Sequence, residues 1–260
     1  MNLKHTLKSH PVISSVTGIT VSILSLLFIP KLFGNMGIDQ DITKAILRYF
    51  IAITIIITLF KLNWLRDAWF TKPTDRQFRY WLLAIIPTAL VCLLNLASVE
   101  FSVLEFSTTS IAGWVFGNFS TGLFEETLLR SFCFFLLFNA WADTRSGLFK
   151  AALVQAGIFG ILHFLNLTEA PLVDTVAQVI YATIFGICFA GIAAYTRNIW
   201  IPIIAHTLIN ASGSINSFFL PGYEQSAGDI GGYAVAVIII FIACGLPGIY
   251  CLKKADLKTA

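Results

Sequence analysis

Residues 111–138 read IAGWVFGNFSTGLFEETLLRSFCFFLLF, a long apolar run with Glu125, Glu126 and Arg130 near its centre. One charged residue at the middle of a bilayer helix costs roughly 2.5–3.5 kcal/mol on insertion scales. Three such residues cost on the order of 8–10 kcal/mol before any pairing between them. The segment therefore predicts a membrane helix whose charges either hold helices together or form a reactive centre.

The composition indicates that the whole chain is a membrane protein. Of its 260 residues, 57% are hydrophobic and 12% are charged, whereas soluble domains carry about 25% charged residues. The N-terminal tail leads into an apolar segment without a small-residue cleavage site, so we expect a retained helix rather than a cleaved signal. The five cysteines lie in apolar runs without a CxxC pair, which favours packing over disulfide or metal binding.

Eight apolar segments are long enough to cross a bilayer. If the N-terminus is cytoplasmic, 13 of the 17 Lys and Arg residues fall on the cytoplasmic side, three fall on the outer side, and Arg130 lies inside a span. This asymmetry follows the positive-inside rule, so both termini are predicted to be cytoplasmic. We predict an all-α, polytopic helical bundle that forms one membrane domain over residues 1–260, with spans at about 12–30, 46–62, 81–98, 110–138, 149–166, 173–195, 199–218 and 231–252.

Two histidines lie inside predicted spans, and each has a notable residue four positions away. His163 follows Phe159, and Asn210 follows His206. Positions four apart on an α-helix differ by about 40°, so each pair projects from one helix face. Taken alone, such a histidine is a packing residue, and such an asparagine forms a hydrogen bond between helices.

The same spacing separates Glu126 from Arg130 and predicts an ion pair along one face of the helix. Glu125 lies about 100° around the helix from Glu126 and so has no partner in its own helix. The ion pair alone could be a structural clasp. The concentration of ionisable residues in three spans instead favours one shared site.

This set of side chains suits one kind of chemistry. In a medium of low dielectric a carboxylate and a histidine can share a proton and polarise a water molecule. An imidazole N–H and an asparagine amide can donate to a developing oxyanion. The inventory suits amide hydrolysis by an activated water. Counted from the predicted cytoplasmic ends, Glu125, His163 and His206 lie roughly 10–21 Å below the cytoplasmic surface, which favours a cavity open to the cytoplasm.

The ordered motifs EExxxR, FxxxH and HxxxN, each on its own apolar helix, resemble those of the CPBP family of intramembrane endopeptidases, the CAAX protease and bacteriocin-processing family, also called Abi. The resemblance covers about residues 125–210, inside a core of about 110–218. It implies an intramembrane protease that cleaves a membrane-associated or lipidated peptide. The processes implied are CAAX-type processing, or bacteriocin or signal-peptide maturation and self-immunity.

The resemblance also implies roles for single residues. Glu125 would activate the water with His163 as its partner, and His206 and Asn210 would bind the oxyanion or position the water. A zinc ion could be held by Glu125, His163 and His206, since catalytic zinc has three protein ligands and an open position. The chain has no HExxH motif, and a glutamate and histidine mechanism accounts for the same residues, so we favour catalysis without a cofactor.

Three further residues would support the site: Glu126 and Arg130 would hold the motif helix in place, and Phe159 would wall the cavity. Other functions fit parts of the sequence. They are a non-enzymatic membrane immunity or partner-binding protein, a proton-coupled transporter and, least well, a rhomboid-like serine protease that uses Ser212 without a GxSG context. The expected partners are membrane lipids and a peptide or lipidated protein, not nucleic acid, and the expected location is a bacterial cell membrane. The sequence does not define the oligomeric state.

Overall fold

The computed structural model describes residues 3–71, 75–168, 170–224 and 227–257. Within these ranges the chain is all-helical, as predicted, because apolar runs in a membrane must satisfy their backbone hydrogen bonds internally. The α-helices are α1 (Leu3–Ser9), α2 (Pro11–Gly34), α3 (Gln40–Lys61), α4 (Asp75–Leu96), α5 (Thr108–Glu126), α6 (Phe135–Trp141), α7 (Arg145–Leu162), α8 (Leu172–Thr196), α9 (Trp200–Gly213), α10 (Ile215–Phe219), α11 (Ile230–Ile240) and α12 (Leu246–Lys254).

Two of these helices continue into the next through a π-helical segment. Thr127–Phe134 joins α5 to α6, and Phe241–Gly245 joins α11 to α12. A π-helical turn shifts the faces of the helix that follows, and such turns are frequent at functional sites. The first of them begins directly after the two adjacent glutamates. A 3₁₀ segment, His163–Thr168, follows α7.

Five helical segments are long and apolar enough to cross a membrane: Pro11–Gly34, Gln40–Lys61, Arg145–Thr168, Leu172–Thr196 and Ile230–Lys254. A shorter apolar helix covers Trp81–Leu96. These helices support a multi-pass membrane protein. The number of eight spans and the side of the termini stay predictions.

The start of α3 differs from the predicted start of the second span at about residue 46. The side chain of Asp39 accepts hydrogen bonds from the backbone N–H groups of Asp41 and Ile42, at 2.8 and 2.9 Å, so the helix begins at Gln40. Arg48, counted from the sequence among the outer flanking charges, therefore lies two turns inside a helix.

Several basic side chains close one end of the bundle, which we call the basic end. Lys4 donates to the Leu62 carbonyl at 3.0 Å, and Arg145 donates to the Leu252 carbonyl at 2.6 Å. Arg197 donates to the Asp256 carbonyl at 2.8 Å. Basic side chains are favourable partners for carbonyls at and just beyond helix C-termini. These bonds join α1 to the end of α3, the start of α7 to α12, and the end of α8 to the segment after α12.

Gly122 allows α9 to pack directly against α5. A Cβ atom at this position would meet the Thr207 hydroxyl and would lie 3.1 Å from the Ile203 carbonyl oxygen. Only a residue without a side chain fits so close an approach. Because His206 lies next to Thr207, this contact also sets how near His206 comes to the glutamates at the end of α5.

Replacing Gly122 by Leu is expected to separate α9 from α5 and to lower both stability and activity. Overpacking a close contact costs about 1–3 kcal/mol, and a displaced His206 should lower hydrolysis by at least about tenfold. The measurements are thermal unfolding in detergent and the hydrolysis rate. Gly157→Leu is the matched control, because a Cβ atom there meets nothing within 4 Å. Equal effects of both substitutions would contradict the role given to the α5–α9 contact.

Candidate active site

The ion pair that the Glu126 and Arg130 spacing predicts is present. Arg130 Nη1 lies 2.9 Å from Glu126 Oε1, and both side chains are fully buried. The guanidinium also lies over the rings of Phe159, at 4.6 Å, and Phe189, at 5.5 Å, so cation–π attraction supports the buried charge. The pair therefore fixes the helix on which Glu125 lies.

His206 contacts both glutamates, so Glu126 has a second partner besides the Arg130 that its spacing predicts. His206 Nδ1 lies 2.7 Å from Glu126 Oε1, and Nε2 lies 3.6 Å from Glu125 Oε2. An ionised carboxylate only accepts hydrogen bonds, so Nδ1–H donates to Glu126 and Nε2 is directed towards Glu125. The ring of Phe189 stacks on the imidazole at 5.6 Å. Glu126 thus sets the orientation of His206.

His163 lies at the end of α7, where the chain turns into the 3₁₀ segment. Its Nδ1 lies 2.8 Å from the Phe159 carbonyl oxygen. A carbonyl only accepts, so Nδ1 carries the proton and Nε2 of the neutral ring is a free acceptor. In the described part of the chain no hydrogen bond or ion pair joins His163 to Glu125. The two residues line one cavity, and the role of His163 as the partner of Glu125 stays a prediction. The histidine nitrogen in ion-pair contact with Glu125 belongs to His206.

A cavity of about 1160 Å³ brings the predicted residues together. Glu125, His163, His206 and Asn210 all line it, and so does Phe159, which was expected to wall it. The Glu125 side chain is 23% exposed, whereas that of Glu126 is fully buried. The amide of Asn210 makes no hydrogen bond to any described residue, so its N–H groups are available to a bound molecule. The arrangement can hold a water beside a carboxylate and present donors to a carbonyl oxygen.

The cavity extends to the end of the bundle opposite the basic end. Its lining includes Ser98, Thr168, Gly213 and Asp229, which we call the mouth residues. The helix that starts at Arg145 at the basic end leads to Thr168 at the mouth. Because the side of the membrane that each end faces stays a prediction, so does the cytoplasmic opening of the cavity.

The donor set does not fit a zinc ion in this geometry. Among the described residues, no group of three or more His, Cys, Asp or Glu side chains is arranged to hold a metal ion. A catalytic zinc requires three protein ligands around one point. Glu125, His163 and His206 line one cavity without converging in that way.

Two residues of the site carry no signal in the sequence. Phe189 is one of 23 phenylalanines, and nothing in its neighbours distinguishes it. Arg48 lines the cavity, yet its position in the chain resembles that of an ordinary flanking charge. Ser212, the candidate of the serine-protease alternative, donates to the Ile209 carbonyl at 2.9 Å and accepts from Asn95 at 2.9 Å. No described histidine bonds to its hydroxyl, which removes the geometry that a serine nucleophile requires.

Comparison with known proteins gives a family match for the segment that contains this site. Residues 107–212 match the family model described as type II CAAX prenyl endopeptidase Rce1-like. No curated protein and no solved structure matches the chain. The matched range contains Glu125, His163, His206 and Asn210, and it supports a CAAX-type intramembrane protease at a coarse level. Residues 107–212 of this chain are therefore similar to the type II CAAX prenyl endopeptidase Rce1-like family, which is consistent with the resemblance to the CPBP family.

Proposed function

We propose that this protein hydrolyses a peptide bond in a membrane-associated or lipidated peptide, with a water molecule activated by Glu125. One observation carries the proposal. The carboxylate of Glu125 faces a large internal cavity at 3.6 Å from His206 Nε2, while the other nitrogen of that ring is held by the fully buried Glu126. A carboxylate base and an imidazole of fixed orientation beside one cavity suit the hydrolysis of an amide.

In the proposed reaction, water attacks the carbonyl carbon of the scissile bond and gives its proton to Glu125. The amide of Asn210 donates to the oxygen that becomes negative, which is the usual role of preorganised donors. His206 donates to the same oxygen from Nε2–H in its doubly protonated form, while its Nδ1–H stays bonded to Glu126. The C–N bond then breaks, and the proton passes from Glu125 to the leaving amine. His163 presents an unprotonated Nε2 to the cavity and helps to position the water. The products are one carboxylate and one amine.

Glu126 acts in this scheme as a positioning residue. Its carboxylate accepts from Nδ1–H of His206 and fixes the orientation of the ring, as a buried carboxylate does for a catalytic histidine. Arg130 balances the charge of Glu126 at 2.9 Å. The ion pair of Glu126 and Arg130 therefore acts on the proposed reaction through His206.

The substrate class is best tested in cells. Comparative peptidomics of cells carrying wild-type protein or Glu125→Gln should reveal a peptide whose processed form appears only with the wild type. If the associated phenotype, such as immunity, survives Glu125→Gln in full, the protein acts as a non-enzymatic immunity or partner-binding protein instead. A flux driven by a pH gradient in proteoliposomes would favour the transporter alternative.

A chelator is expected to leave the rate of hydrolysis unchanged. The proposed reaction uses only side chains of the chain, and the described donors do not converge on a metal position. The measurement is the rate on a fluorogenic peptide whose prenylated cysteine is followed by three apolar residues, the CAAX arrangement, with and without 1,10-phenanthroline. A loss that added zinc restores would contradict the metal-free reaction.

A further inference from the structure

The cavity contains one basic residue whose charge the proposed reaction does not use. Of the Lys, Arg, Asp and Glu side chains described along its lining, Lys44 pairs with Asp41 at 3.5 Å and Asp229 caps the N-terminus of α11. The two that remain are Arg48 and Glu125. Glu125 acts as the base in the proposed reaction. Arg48 is therefore the charged side chain of the described lining that has neither a role in the reaction nor an anion in contact with it.

The surroundings of Arg48 indicate which kind of anion it could bind. The side chain is partly buried, and within the described residues its guanidinium makes no hydrogen bond or ion pair. Its charge is attracted by those of Glu125 and Asp41, but neither lies within contact distance. A guanidinium presents a planar fork of donors that matches a carboxylate in two parallel hydrogen bonds. The cavity therefore offers a carboxylate site at some distance from Glu125.

The distance between Arg48 and Glu125 can be estimated along the axis of α5. The hydroxyl of Tyr49, the residue after Arg48, donates to the Phe116 carbonyl at 3.1 Å. Positions 116 and 125 lie about 13 Å apart along a helix axis at 1.5 Å per residue. An extended peptide covers this distance in about four residues, and fewer if the long arginine side chain reaches towards Glu125. A short C-terminal segment fits between the two charges.

We propose that Arg48 binds the C-terminal carboxylate of a peptide whose scissile bond lies at Glu125. Arg48 is then the specificity-determining residue for the free C-terminus of such a peptide. This inference rests on the proposed function and adds the residue that reads the end of the substrate. A phosphate of a lipid headgroup is the less favoured anion, because Arg48 shares an internal cavity with Glu125.

The kinetic test compares two forms of the prenylated fluorogenic peptide, one with a free C-terminal carboxylate and one with a C-terminal amide. Arg48→Gln should lower kcat/KM on the acid form by about 10- to 150-fold, the range for a hydrogen bond to a charged group. It should leave kcat/KM on the amide form unchanged. Arg48→Lys should fall between the two, since it keeps the charge and loses the fork. Lys61→Gln removes an exposed charge from the same helix at its other end and serves as the control.

A binding test separates this inference from the proposed reaction. The same two peptides are titrated into Glu125→Gln protein, which needs no cleavage, and the fluorescence anisotropy is recorded. The acid form should bind at least about tenfold more tightly than the amide form, and Arg48→Gln in the Glu125→Gln background should remove the difference. Peptides with two, three, four and five residues after the cysteine should show an optimum at a short length.

Two results would overturn the inference. One is equal binding of the acid and amide peptides, with no cleavage preference in the wild type. The other is an equal loss on both peptides in Arg48→Gln, which would mean that Arg48 acts on Glu125, on a lipid headgroup or on the fold. If the binding preference is found but no peptide is cleaved, the carboxylate site stands and the proposed hydrolysis fails.

Discussion

Glu125→Gln is expected to reduce kcat/KM for peptide hydrolysis by about 100- to 10,000-fold, the contribution of a general base. Glutamine keeps the size of the side chain and can still touch His206 Nε2, but it cannot take a proton from water. Because Glu125 is partly exposed to the cavity and glutamine can keep the contact with His206, thermal stability in detergent should not fall. The measurement is the initial rate of purified protein on the prenylated fluorogenic peptide.

Glu105→Gln is the matched control for this substitution. Glu105 is exposed and does not line the cavity, so the same chemical change there should leave the rate within a factor of two or so. If Glu125→Gln keeps more than a tenth of the wild-type rate, another group activates the water. His163, with its free Nε2 in the same cavity, would then be the next base to test.

Arg130→Met is expected to destabilise the protein more than any other single change proposed. It leaves the carboxylate of Glu126 fully buried without its cation, and breaking a buried pair costs about 3–5 kcal/mol. The remaining partner of Glu126 is His206, so the substitution should also disturb the site. The measurements are the midpoint of thermal unfolding in detergent and the hydrolysis rate of the folded fraction.

The double variant Glu126→Gln with Arg130→Met decides whether the two residues act as a pair. If they do, the double variant should be more stable than Arg130→Met alone, because no unpaired charge remains buried. The hydrolysis rate should nevertheless stay low, since a glutamine amide is a weaker anchor for His206. Additive losses of stability would show that each residue acts alone and that the clasp is not a unit.

Local geometry explains why the two adjacent glutamates could be told apart from the sequence. An α-helix rotates by 100° per residue, so an arginine four positions on is expected on the face of the second acid. The pair forms although Arg130 lies in the π-helical segment Thr127–Phe134. The buried pair of Glu126 and Arg130 and the cavity-facing position of Glu125 agree with that reasoning. The all-helical architecture was predictable for a similar reason, because a long apolar run in a bilayer has no other way to satisfy its backbone.

Contacts between helices could not be derived in this way. Whether His206 meets Glu125, Glu126 or both depends on how closely α9 packs on α5, and that distance depends on Gly122. The end of α7 at Leu162, which directs His163 to a backbone carbonyl, gives no signal in an unbroken apolar run. The role of Arg48 could not be predicted for the same reason, because only the assembled bundle brings it into one cavity with Glu125.

The position of the mouth residues has a consequence for where the substrate comes from. They lie at the end of the bundle away from the basic end. If the positive-inside rule holds for this chain, that end faces away from the cytoplasm. A precursor would then meet Glu125 only after it had been exported, and the released fragment would already be outside the cell. Cleavage would act as a step of secretion, and a precursor retained in the cytoplasm would stay intact.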